Sequence, residues 1–159
     1  MRDLTTQLQV MEILARCEEA TGDLYRAYAG LFPEMNEFWG ALASQEDHHA
    51  VWVRGLMTQA RDGKLDIQDD RFVGDIYREF YDYLVRRRQE IATFPPELVA
   101  ALSIALDIEG SFVEKSFLQV FEGDSPQLRD TLRKLTRASE VHRQRIQEQW
   151  QLHRRGRLK

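Results

Sequence analysis

One cysteine, four prolines and nine glycines are all that this chain of 159 residues holds of the residue types that cross-link, break or loosen a polypeptide. The single cysteine, Cys17, excludes an intrachain disulfide and any CxxC zinc or rubredoxin-type iron site. It falls inside an amphipathic helical pattern and is read as a buried, inert thiol. No apolar stretch approaches the roughly 20 residues of a membrane span. The start, MRDLTTQLQV, lacks the apolar run of a signal peptide. No membrane contact and a reducing cytoplasm are therefore expected. An excess of positive charge is also missing. The net charge is −4, which argues against nucleic acid as a partner. The basic end His153–Lys159 is the local exception, read as a solvated tail with anion docking as the alternative.

What is present is helical periodicity, and no strand of consequence. A first helix is expected from about Leu4 to Leu31, with Leu4, Leu8, Met11, Leu14, Tyr25 and Tyr28 on its apolar stripe. Pro33 ends it and suits the first turn of the next. A second helix is expected over Glu34–Ala60, its stripe formed by Met35, Trp39, Leu42, Val53 and Leu56, with Gly63 as its C-terminal cap. A shorter one is expected over Gly74–Ile91, with Arg86–Arg88 on its wet face. A long one runs over Pro96–Phe121 and a last over Gln127–Trp150. The connection Arg61–Pro95 is too long for a tight turn, yet long enough to cross from one end of a bundle to the other. Two helical hairpins joined by such a crossover give an all-α, ferritin-like four-helix bundle with an extra short helix. Residues 1–152 form it and residues 153–159 follow as the tail.

Neighbours four and seven residues away tell which face of a helix a side chain occupies. Glu46 has Leu42 and Ala50, then Trp39 and Val53, so it points inward. His49 has Leu42, Val53 and Leu56 and shares that stripe, while Asp47 faces away and His48 sits on a flank. The same test turns Glu18 inward, between Met11, Leu14 and Tyr25, and leaves Glu19 in solvent. Glu109 lies among Leu102, Ala105 and Val113. His142 belongs to the stripe Leu128, Leu132, Leu135, Ser139, Ile146.

The two hairpins also align as a repeat. Level residues of an antiparallel pair are equidistant from its turn. The midpoint of Glu18 and Glu46 is Phe32, and that of Glu109 and Ser139 is Asp124. Both are helix breaks, so all five ionisable residues share one layer. Three carboxylates buried together repel unless something compensates. No arginine or lysine lies on the stripes near this layer. Protonation of some glutamates, as part of a polar core network, is one answer. A metal is the other, since carboxylate and imidazole donors suit iron or manganese.

Three stretches carry a family resemblance: EEATGDLYRAYAGLFPE in the first helix, FWGALASQEDHHA in the second, and ALDIEGSFVEKSF…VFEGD leading to HRQRI in the last two. On them the chain resembles the rubrerythrin-like branch of the ferritin-like superfamily over nearly its whole length. The resemblance implies that Glu18, Glu46, His49, Glu109 and His142 hold metal. The metal implied is iron, as two ions or one, with manganese or zinc as alternatives. It also implies an oxidoreductase acting on dioxygen or peroxide. The cysteine count excludes the rubredoxin-type domain of rubrerythrins proper, so electrons would come from a separate donor protein. A homodimer is the expected assembly.

The pattern departs from the family at Ser139, where a fourth carboxylate is expected. Glu140 is about 100° further round the helix and reads as solvated unless a π-bulge turns it inward. Glu114, five residues after Glu109, reads as a flank or surface residue, with a stand-in ligand as the alternative. Two metals with another ligand in the gap, one metal only, and a vestigial site all stay open. A non-enzymatic iron-binding, sensing or interaction bundle is thus the alternative to an enzyme. Tyr25 and Trp39, each seven residues from a proposed ligand, are read as core packing, with a redox role for Tyr25 as the alternative.

Overall fold

The structure, a computed structural model, describes residues 4–65, 75–111 and 124–156. Among these it is all-helical. The α-helices are α1 (Leu4–Leu31), α2 (Asn36–Arg61), α3 (Ile76–Glu90), α4 (Leu98–Glu109) and α5 (Pro126–Gly156). Among the described residues no helix is long and apolar enough to cross a membrane.

Local chemistry sets the ends. The proline at 33 turns the chain out of α1 into a single 3-10 turn, Pro33–Met35, ahead of α2. At the far end of α2 the amide of Gly63 donates to the Ala60 carbonyl at 3.1 Å and that of Lys64 to Gln59 at 2.8 Å. This is a Schellman closure, and Gly63 holds the left-handed φ of 71° that it requires. α5 begins with Ser125 as cap: its hydroxyl accepts from the Leu128 amide at 3.3 Å, with Pro126 at the first helical position. Such a cap stabilises by about 1 kcal/mol.

Three expectations change. Leu4 is exposed, because it belongs to the first turn and has no helix to cover it. α4 was expected to continue to Phe121, but the helix stops at Glu109 and Gly110 follows at φ −93°, ψ 7°. Glycine is the weakest helix former after proline, and Gly110 is the only one in that segment short of Gly123. The rest of the expected helix, including Glu114, lies outside the described residues, as does Gly74. α5 runs past the expected end at Trp150 to Gly156, and His153, Arg154 and Arg155 form its last turn. Positive charge there favours the helix dipole, and Arg154 stacks over Trp150 with its carbon 4.9 Å from the ring centre.

α1 packs along α2 and α3, and α4 along α5, while α2 and α5 touch only briefly. The apolar core falls into two clusters. One gathers Leu24, Tyr25, Tyr28, Trp39, Leu42, Leu102 and Ile146. The other gathers Met11, Leu14, Val53, Leu56, Leu128 and Leu132. On α2 the first cluster ends at Ala43 and the second begins at Val53; on α5 the order is reversed, with Leu132 in one and Ile146 in the other. Glu46, His49 and His142 lie in these gaps, so a polar layer separates two apolar ones. Tyr25, Tyr28 and Trp39 are all fully buried, and each contributes ~1.5–3 kcal/mol or more by burial alone.

Candidate metal centre

The five residues singled out from helical spacing meet in space. Glu46 is the middle one. Its Oε1 lies 2.9 Å from His142 Nδ1 and its Oε2 lies 3.3 Å from His49 Nδ1. Each histidine then faces one more carboxylate at 3.7 Å: His49 meets Glu18, and His142 meets Glu109. The arrangement has approximate two-fold character. One half is Glu18, His49 and one oxygen of Glu46. The other is Glu109, His142 and the second oxygen. The two imidazoles stand beside each other, 5.2 Å between centroids and 19° from parallel. These contacts join α1 to α2, α4 to α5 and, through Glu46 and His142, α2 to α5.

Glu46, His49, Glu109 and His142 are at most 5% exposed. Glu18 is the exception. Its side chain keeps 13% exposure, a little more than the others, and is otherwise buried as its neighbours implied. Ser139 is buried at 8% and Glu140 is exposed, both as their neighbours implied, and His48, read as a flank residue, is exposed. Asp47 is tied at the surface to Arg26 at 2.7 Å. Arg54 binds Glu12 and Glu19 there as well. Among the described residues no arginine or lysine forms an ion pair with any of the five.

Within the layer, protons on several of these groups offset the carboxylate charge. Burial and the neighbouring Glu46 charge raise the Glu18 carboxyl to about 8. Burial acts to lower the His49 imidazole, but the Glu18 and Glu46 carboxylates outweigh it and raise it to about 11. His142 is raised to about 9 by Glu109 and Glu46 against the same burial. Burial and the Glu109 charge work to raise Glu46. Its contacts with both histidines and Glu18 prevail, and its carboxyl ends below the usual range.

Tyr25 completes the layer. Its hydroxyl donates to Glu109 Oε1 at 2.8 Å, and its ring packs 5.4 Å from Trp39. The packing was legible from the shared turn midpoint. The hydrogen bond was not, since it joins different hairpins across 84 residues. Cys17 is buried, its thiol directed at the Tyr77 carbonyl at 3.6 Å. Burial pushes that thiol up, away from reactivity.

The donors fit a metal. Ligands bound at ~2.1 Å to one ion at a right angle stand about 3 Å apart, the separation Glu46 already has from each histidine. Donor atoms of Glu46, His49 and His142 all lie within 4.8 Å of one another. Glu18, Glu46 and Glu109 also line a void of about 10 Å³, roughly the space of one water-sized body. On the other side His49 and His142 face an open cleft between α2 and α5, of about 390 Å³, walled by Trp52 and Val141. The layer thus has a closed carboxylate side and an open imidazole side.

Comparison of the chain with protein-family models, with curated proteins and with solved structures finds no match.

Proposed function

We infer that the chain is a non-heme metal protein of the ferritin-like kind, with iron as the metal and two ions as the full complement. The observation that carries this is the position of Glu46, whose two oxygens each face a histidine backed by a further carboxylate. A glutamate from each of two helices, Glu18 and Glu109, with a Glu-x-x-His pair from a third, Glu46 and His49, makes up the di-metal carboxylate arrangement of helical bundles except for the second such pair, of which the fourth helix supplies only His142. In this reading α1, α2, α4 and α5 are the four bundle helices, and α3 belongs to the crossover. The resemblance to rubrerythrins agrees with it.

Glu46 would bridge, His49 and Glu18 would hold one ion, and His142 and Glu109 the other. Oxygen and nitrogen donors of this kind favour iron or manganese, with zinc as a competitor. Iron held this way supplies redox chemistry toward dioxygen or peroxide. The chain's own part is positional. Tyr25 fixes Glu109 by its hydrogen bond, the two apolar clusters exclude water above and below, and the cleft gives small molecules access to the imidazole side. Electrons would reach the site from a separate protein.

Ser139 favours a second reading. It is buried at the position where a fourth carboxylate would sit, and it is neutral. Three carboxylates balance two divalent ions less well than four. A metal-binding or sensing bundle without turnover is the reading this favours.

Metal analysis of protein loaded anaerobically with ferrous iron decides between them. About two iron per chain, with reoxidation by peroxide faster than by solvent leakage alone, supports the oxidoreductase. About one iron per chain and no accelerated reoxidation supports the binding role. No retained metal in either the iron-, manganese- or zinc-loaded protein overturns both.

A further inference from the structure

The cleft above the two histidines is larger than access by dioxygen or peroxide requires. At about 390 Å³ it holds about a dozen waters at ~30 Å³ each, within the range of small-molecule sites. Its walls are one face of each helix, with Gln45, His48 and Trp52 along α2 and Arg137, Ala138 and Val141 along α5. Trp52 and Val141 are 41% and 53% exposed. These are large apolar groups left uncovered beside the polar layer. The charge of the lining is one-sided. The chain carries 26 acidic residues against 22 basic ones, yet no carboxylate lines the cleft among the described residues, and Arg137 does. Arg137 also forms no ion pair among the described residues, unlike Arg26, Arg54 and Arg87.

From this we propose that the cleft between α2 and α5 binds a small organic anion with an apolar body, such as an aryl- or alkyl-carboxylate, beside His49 and His142. Arg137 anchors the charged end, and Trp52, Ala138 and Val141 cover the apolar body. Gln45 and His48 offer hydrogen bonds at the rim. The assignment deepens the metal-site reading by naming the substrate class, and rests on that reading only for the fate of the bound molecule. Binding itself depends on residues outside the metal layer.

The test is titration of 4-phenylbutyrate, octanoate and the neutral 4-phenylbutanol, followed by tryptophan fluorescence. It is run on the full chain both EDTA-treated and iron-loaded. Both acids are expected to give a saturable change that Trp52→Phe removes. Arg137 is exposed, so Arg137→Gln keeps the fold. It should weaken both acids about tenfold while leaving the alcohol's weaker binding unchanged. Equal affinity for acid and alcohol, or for native protein and Arg137→Gln, overturns the anion assignment. Absence of saturation with every probe overturns the site. A Trp52 signal that follows protein concentration, with a dimer in sedimentation that Val141→Glu dissociates, overturns it too, in favour of contact between copies. Because the EDTA-treated arm contains no metal, loss of iron retention with intact acid binding sinks the metal reading alone. Iron retention without acid binding sinks this one alone.

Discussion

Glu46 and His142 lie 96 residues apart in the chain and 2.9 Å apart in space. With the His49 contact on its other oxygen at 3.3 Å, this makes one carboxylate the partner of two buried imidazoles. In the metal-free protein both imidazoles are held protonated by that arrangement. Replacing Glu46 by Gln removes the charge and leaves two cationic rings 5.2 Å apart. Breaking a buried pair in this way costs ~3 kcal/mol or more. The metal-free variant is expected to unfold at lower urea than the native chain at pH 6, and the difference should shrink at pH 9. A variant more stable than the native chain at pH 6 would show that Glu46 does not pair with the histidines. Iron retention should be lost in the same variant.

Stability of the metal-free protein should fall as pH rises. Glu18 is raised to about 8, His142 to about 9 and His49 to about 11. All three bind protons more tightly folded than unfolded. The histidine contribution is full below about 6.5 and is lost through 9 and beyond, and the Glu18 contribution fades between 4.5 and 8. Glu46, whose folded value is lowered, acts the other way, but only below the ordinary carboxylate range. Metal requires deprotonated ligands, so the loaded protein should show the opposite trend, with affinity rising with pH and protons released on binding. Urea midpoints of EDTA-treated and loaded protein from pH 5.5 to about 9 test both signs. A metal-free midpoint that rises across that window would sink the protonation pattern described here.

The layer was legible in the sequence because burial and register each leave a periodic trace. Most of the residues four and seven away from Glu46, His49 and His142 are apolar (Gln45 and Gln149 are the exceptions), and those three are buried as the pattern implied. The turn midpoints at Phe32 and Asp124 gave the level independently. What periodicity cannot carry is distance between helices. The Tyr25–Glu109 bond, the central place of Glu46 and the cleft beside Trp52 all depend on how far α2 stands from α5 and how α1 faces α4. The residual exposure of Glu18 has a related reason: its neighbours on α1 turn it inward, but how closely the other helices cover it is not written in them. The end of α4 at Gly110 was a matter of propensity, and the run of apolar residues around it masked the signal.

Tyr25→Phe isolates the positioning role of the hydroxyl. Glu109 is 5% exposed and accepts that hydrogen at 2.8 Å. Losing a donor to a buried carboxylate costs ~1.5–3 kcal/mol. Partners that orient a ligand typically change metal affinity by about 10–100-fold. The variant is expected to keep the ring packing on Trp39 and so to fold. It should bind metal at least tenfold more weakly in a chelator competition. Destabilisation with unaltered metal affinity would assign Tyr25 to the core alone.

Ser139→Glu tests whether the missing carboxylate limits the site. Ser139 is one helical turn before His142 on the buried stripe of α5, as Glu46 is one turn before His49 on α2. A glutamate there would restore the symmetry of the two half-sites and bring four negative charges against two divalent ions. In the metal-free protein it would add a fourth buried acid beside three, with no new cation to oppose it. The expected result is therefore a split: lower stability without metal, by a few kcal/mol at pH 9 where the acids are ionised, and higher metal occupancy with tighter retention against chelator. The two effects have one cause, so they should appear together. Unchanged occupancy alongside lower metal-free stability would mean that the carboxylate enters the layer but that His142 does not serve as a ligand, and the two-ion reading would fail with it.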